Sequence, residues 1–355
     1  MKKVLILILG LSLTAASCDL ANGVFDLGSG GIRGVVKSED NGESFSAAGN
    51  LALKGNINNV TANSLVFDSS NPDTIYLASS GGVYKTTDAA KTWHYILSGI
   101  TVVDIGIDPY QSNVLYAAGI VGKNGKIIKS LDGGTSWIDI YTEPSQSNPV
   151  LAIAVSTSNS SVVLAGLSTG EIIRSVDAGH TWQATKDFSD RINRIRFGPG
   201  VVYALTLHKG VQKSFDQGLT WASISGFLTG SNLSANGQAV SSITAFYDLS
   251  LDQRQPGVLY LGTEQGVYRT VNDGISWSAL ALPVKNASLR TTAVAVNPSN
   301  SNNLFAAVAS TIFKSVNGGV TWETKLLPPG SGVKSILINP KANNLIYLGM
   351  GVTQQ

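Results

Sequence analysis

One cysteine in 355 residues leaves no internal disulfide possible. Charge is scarce as well: Asp, Glu, Lys and Arg make up 14% of the chain, against roughly 25% in ordinary soluble domains. The 25 basic and 23 acidic residues leave a formal net charge of +2. Such a balance gives no case for nucleic acid or an anionic membrane surface as a partner. Histidine occurs three times, at His94, His180 and His208. No ligand spacing links them, so neither a metal site nor a cofactor is expected. After residue 13 no apolar run approaches the roughly 18 residues a membrane span requires. No sustained helical period appears anywhere. Glycine, by contrast, is abundant at 38, as a fold with many tight turns requires.

The cysteine is explained by its position. Residues 1–17 carry two lysines, an apolar run from Val4 to Leu13 and then small residues. That is the pattern of a signal peptide. It ends at Ala15-Ala16-Ser17-Cys18, which resembles the bacterial lipobox, although Ala15 stands where Leu is usual. The resemblance implies cleavage before Cys18, diacylglycerol on its sulfur, and an exported chain anchored in the bacterial cell envelope. The alternative is an ordinary secretory signal that happens to contain a cysteine. Asp19 follows, which in enterobacterial lipoproteins resembles an inner-membrane retention signal.

From residue 18 to 355 one string recurs. Lys129-Ser130-Leu131-Asp132-Gly133-Gly134-Thr135-Ser136-Trp137 returns as Arg174 to Trp182 and Lys213 to Trp221, and again as Lys85 to Trp93, Arg269 to Trp277 and Lys314 to Trp322. A seventh copy, Lys37 to Phe45, ends in Phe. Successive copies lie 39 to 56 residues apart, which suits a four-stranded propeller blade. The acidic or amide residue (Asp40, Asp88, Asp132, Asp177, Asp216, Asn272, Asn317) can accept backbone N–H bonds inside a tight turn. The glycine permits positive φ, and Ala90 replaces it in one copy. Trp93, Trp137, Trp182, Trp221, Trp277 and Trp322 can pack between neighbouring sheets. These are all six tryptophans, so none remains for a sugar-stacking platform. Tyr95, Tyr110, Tyr141 and Tyr247 are the other aromatic candidates.

The motif S/T-x-D/N-x-G-x-T/S-W resembles the Asp box of sialidases, sortilin-like receptors, xyloglucan endoglucanases and photosystem II assembly factors. Around each copy the apolar residues alternate with period two, giving strands A, B, C and D with the box joining C to D. Residues 333–348 form an A and B pair with no box after them, while residues 32–45 hold a box with no complete pair before it. The expected fold is therefore all-β: a seven-bladed β-propeller of four-stranded antiparallel blades. Its composite blade comes from about residues 24–48 and 333–350, which removes the open sheet edge. A monomer is expected.

In propellers of the kind resembled, ligands sit opposite the boxes, among B–C and D–A loops. Two positions stand out there. Aligned strands A carry small or apolar residues where Arg196 sits, and Arg194 points the same way. Arg191, Asp187 and Asp190 precede them. A guanidinium beside the channel is costly unless paired or wet. The cluster reads either as an internal ion-pair network, with Asp104 or Asp187, or as an anion- or carboxylate-binding patch. The second position is Glu264, in a B–C loop where xyloglucan endoglucanases use acidic residues. A second carboxyl at a comparable place is missing, and glycoside hydrolysis needs two, about 5–10 Å apart. Glu264 alone reads equally as a solvated loop residue. The sialidase arginine triad comes from separate blades, whereas three arginines here share one. The long stretch from Ala222 to Ser242 reads as a partner-contacting loop or a spacer.

In length, lipobox and blade number the chain is most similar to the photosystem II stability and assembly factor group. That implies a membrane-anchored, non-catalytic protein-binding or assembly module. The alternative is a glycoside hydrolase or a polysaccharide-binding propeller.

Overall fold

A computed structural model describes residues 33–229, 242–284, 289–328 and 331–352. The proposed signal peptide and Cys18 lie outside them. Seven four-stranded antiparallel sheets follow one another. Strands A touch in a closed ring, each against the strand A of the next sheet, and so wall the central channel. Six blades are built consecutively, beginning with Ala62–Phe67, Thr101–Ile107, Val150–Val155, Ile192–Gly198, Phe246–Leu251 and Thr291–Asn297. Blade 7 joins the chain ends. Ser331–Ile338 and Ile346–Val352 supply A and B, and Gly34–Ser38 and Ser46–Ala47 supply C and D. Gly34–Ser38 pairs antiparallel with Ile346–Val352, Val36 opposite Leu348. The expected fold and its closure are thus observed. The loop expected from Ala222 starts later: Ala222–Ser223 is strand D of blade 4, and a four-residue helix, Gly226–Thr229, follows.

The boxes fold alike because each side chain is fixed by its own turn. In blade 7, Ser38 Oγ accepts the Gly42 N–H at 2.8 Å and donates to Asp40. Asp40 in turn accepts the Ser44 N–H and hydroxyl. Blade 2 repeats this with Ser130, Asp132, Gly134 and Ser136. Burial pushes the Asp40 carboxyl up, but hydrogen bonds from Ser44 and Ser38 outweigh it and hold the group at about 2. Two consecutive residues of each turn take positive φ, such as Gly133 and Gly134. Ala89 and Ala90 do so without glycine, at φ 58° and 65°, a strain tolerated because the surrounding hydrogen bonds over-determine the turn.

In several blades the basic residue before the box serves the neighbouring blade. Lys129 donates to the Ala178 carbonyl of the next box at 2.7 Å, and the Tyr116 hydroxyl donates to the same oxygen. Lys129 also lies over the Tyr116 ring, which adds a cation–π attraction. Lys213 and Tyr203 both reach Asp273. The same latch closes the ring: Lys314 of blade 6 pairs with Glu43 of blade 7, and Tyr347 of blade 7 donates to Ala89 of blade 1. Seven apolar clusters fill the seven gaps between blades.

Candidate functional site

Every strand A carries a β-bulge against its strand B, between Ile192 and Arg194 in blade 4 and between Phe246 and Asp248 in blade 5. A bulge re-aims the side chain that follows it. The post-bulge residues of blades 1 to 7 are Ser64, Asp104, Ala152, Arg194, Asp248, Ala293 and Ser335. Six of these positions need no positive charge, and blade 4 places Arg194 there, with Arg196 two residues on.

Arg194 Nε donates to Asp248 Oδ1 at 2.8 Å, and the pair is only 17% and 10% exposed. Asp248 Oδ2 accepts the Val294 N–H of blade 6. One carboxylate therefore ties three consecutive strands A together. Arg196 lies 4.0 Å from Asp104 of blade 2, and it is 37% exposed where Asp104 is 5%. Blades 2 and 4 are not neighbours, so this pair runs along the channel past Ala152 and Ala154 of blade 3. Asp104 also accepts the Ile153 N–H. Burial works against the charge on Arg194, but Asp248 and then Asp104 hold its pKa above the usual value. On Arg196 burial wins and Asp104 offsets it in part, so its pKa falls.

More cations gather where strands A begin. Arg191 is exposed, where the chain enters strand A of blade 4. Arg290 stacks on the Tyr247 ring at 4.6 Å. Lys334 is half-buried, its pKa lowered by burial and by Arg290. Among the described residues none of these three has an acidic partner within ion-pair distance. The channel mouth thus carries five cations against Asp104 and Asp248.

Arg191, Arg194 and Arg196 lie within one short stretch at the start of strand A of blade 4, and of the two acids considered Asp104 reaches Arg196 at 4.0 Å. Asp187 does not. It ends the outer strand of blade 3, Gln183–Asp187, and its carboxylate accepts the N–H and hydroxyl of Ser189. Asp190 is likewise occupied, by His208 and the Lys209 N–H. Glu264 does lie in the B–C loop of blade 5, but both its oxygens are engaged by Thr244, through N–H and hydroxyl. Asp248, Arg290 and Lys334 escaped the sequence reading, and Tyr247 was noted only as an aromatic. Extending the alignment of strands A to blade 5 puts Asp248 at the same register as Arg194 of blade 4 and Asp104 of blade 2.

These observations define a seven-bladed β-propeller with a cationic channel mouth. No family model and no curated protein sequence matches the chain. Among solved structures, a GH74 xyloglucanase from Xanthomonas campestris superposes with a TM-score of 0.65 at 17% identity. That match covers 82% of this chain and 51% of the enzyme, so the chain spans about half its length. YCF48 from Cyanidioschyzon merolae superposes with a TM-score of 0.61 at 15% identity, covering 82% of this chain and 95% of that one. YCF48 bound to D1 peptide gives 0.60 at 18%, covering 83% and 94%. At these identities the likeness is one of fold.

Proposed function

We propose that this propeller is a non-catalytic binding or assembly module whose channel mouth receives a carboxylate-bearing segment of a partner protein. The observation that carries this reading is the set Arg191, Arg290 and Lys334, cationic and without acidic partners among the described residues. A planar guanidinium accepts a carboxylate through two parallel hydrogen bonds. The ring of Tyr247 beneath Arg290 gives the ligand an apolar edge as well. The similarity in fold and length to a protein solved with a bound peptide supports a peptide partner over a polysaccharide. So does the engagement of Glu264, the one carboxyl considered for glycoside hydrolysis, by Thr244.

The test is affinity capture from envelope membranes with mass spectrometry, wild type against Arg191→Ala plus Arg290→Ala. Both side chains are exposed, so the fold should survive. The variant is expected to lose the captured protein, and the wild-type complex should weaken with salt. An unchanged capture profile would remove the patch from consideration. Release of reducing sugar from xyloglucan, abolished by Glu264→Gln, would favour the hydrolase reading instead.

The same proposal places the propeller at the envelope through lipid on Cys18. A palmitate analogue should label the wild type and not Cys18→Ser. Labelling that persists in the variant refutes the anchor.

A further inference from the structure

The face of the propeller opposite the cationic mouth is not uniform. Each box turn displays two outward side chains, one after the leading hydroxyl and one before the closing hydroxyl. In blade 7 they are Glu39 and Glu43, and in blade 1 Thr87 and Lys91. In blades 4, 5 and 6 all six are large and apolar: Phe215 and Leu219, Val271 and Ile275, Val316 and Val320. They are between 50 and 84% exposed. Three adjacent turns therefore each present a pair of exposed apolar side chains, an apolar arc of a kind that soluble monomers rarely leave uncovered.

Charge has been withdrawn from the same arc. Blades 5 and 6 are the two that carry Asn272 and Asn317 in place of the box aspartate. The amides keep the turn intact: each Oδ1 accepts the N–H of Ser276 or Thr321, and each Nδ2 donates to that residue's hydroxyl. The substitution thus costs no hydrogen bond and removes a negative charge, which lowers the penalty for entering an apolar medium. Asp273 is neutralised by Lys213. Asp216 keeps its charge, with both oxygens satisfied by Ser214 and Thr220.

A polar cleft adjoins the arc. The Asp273 N–H donates to Gly257, and the Gly318 N–H to Asn302. These bonds set the boxes of blades 5 and 6 against the A–B turns of the same two blades. Those turns line a shallow cavity of about 570 Å³ with Arg254, Gln255, Ser299, Asn302 and Asn343. Arg254 is the only charged residue there.

We propose that this face docks on a phospholipid bilayer. The six apolar side chains enter the boundary between headgroups and acyl chains, and Arg254 with its amide neighbours meets headgroup phosphate. An amphipathic surface of that kind binds in proportion to its buried apolar area. A protein partner would equally cover apolar side chains, but it could pair aspartates with its own arginines; amides in place of two carboxylates suit a surface rich in phosphate. The chain length allows it. Fourteen residues separate Cys18 from Arg33, and extended they span about 50 Å. Strands of five to seven residues make the blade only about 20 Å tall. A lipid on Cys18 could therefore hold either face to the membrane.

The test uses a chain beginning at Asp19, which lacks the lipid and the apolar run and retains all seven sheets. Flotation with vesicles of phosphatidylcholine and phosphatidylethanolamine should carry the protein upward, with little effect of salt. Ile275→Asp plus Val320→Asp should reduce flotation by about tenfold or more. Its melting temperature should match wild type, since both side chains are exposed. Arg254→Gln should weaken flotation less. Protein that stays at the bottom, or a double variant that floats as well as wild type, overturns the proposal. Concentration-dependent dimers without lipid, abolished by the same double variant, would overturn it in favour of a second copy of the chain.

Discussion

Trp93→Ala should cost roughly 3–5 kcal/mol of folding free energy, the range for emptying a large buried aromatic site. It should be the most damaging of the six tryptophan truncations. Trp93 is fully buried, and it clamps the seam where the chain ends meet. Its indole N–H donates to Ala48 at 2.6 Å, its backbone N–H to Asn50, and its carbonyl accepts from Ala52. All three partners belong to the connection from strand D of blade 7 to strand A of blade 1. The indole packs with Val35, Ala48, Ile57 and Tyr347. Truncation would open a cavity between blades 7 and 1 and leave the Ala48 carbonyl without its donor. Trp322 is the control. It is half-buried between blades 5 and 6, and among the described residues its indole N–H has no partner. Trp322→Ala should cost about half as much or less. Urea denaturation followed by circular dichroism measures both. Equal losses would show that closure of the ring adds nothing to the stability of its seam.

The fold was legible because the repeat displays it. Seven box turns, each held by its own hydroxyls and its own Asp or Asn, repeat the same local bonds. The unmatched strands at the two ends could be seen to complete one blade. What the sequence hid lies between blades. The basic residue before each box is visible in the string, but its use as a latch on the next turn, as by Lys129 and Lys213, depends on inter-blade geometry. The candidate site shows the same division. Arg196 was conspicuous as a charge in an apolar alignment. Asp248 was not, because it lies 54 residues from Arg194 and only the packing of neighbouring strands A brings the two together. Asp187 was drawn toward the arginines by nearness in sequence. In a propeller, the last residues of strand D lie at the outer edge, a whole blade width from the channel. The apolar arc was invisible for a related reason: Ile275 and Val320 fall at unspecified positions of the box, where a hydrophobic residue breaks no pattern.

Arg194→Met should destabilise the protein by about 3–5 kcal/mol, because it strands the Asp248 carboxylate in a site with little water. Asp248 would keep only the Val294 N–H as a donor. Asp248→Leu should cost a similar amount, since it leaves the Arg194 charge without its carboxylate and the Arg194 Nε–H and Val294 N–H without an acceptor. The double variant Arg194→Met plus Asp248→Leu should recover much of the loss, because replacing both members of a buried pair by apolar groups removes the desolvation penalty. The coupling in this double-mutant cycle should reach about 1–3 kcal/mol. The cycle also separates the two roles the sequence assigned to the arginines. If Arg194 only braces blades 4 and 5, the double variant regains both stability and the captured partner. If Arg194 also meets the ligand at the channel mouth, the double variant regains stability alone, because that guanidinium is gone. Capture by the double variant at wild-type levels would confine binding to Arg191, Arg290 and Lys334, and would make Arg194 a structural residue.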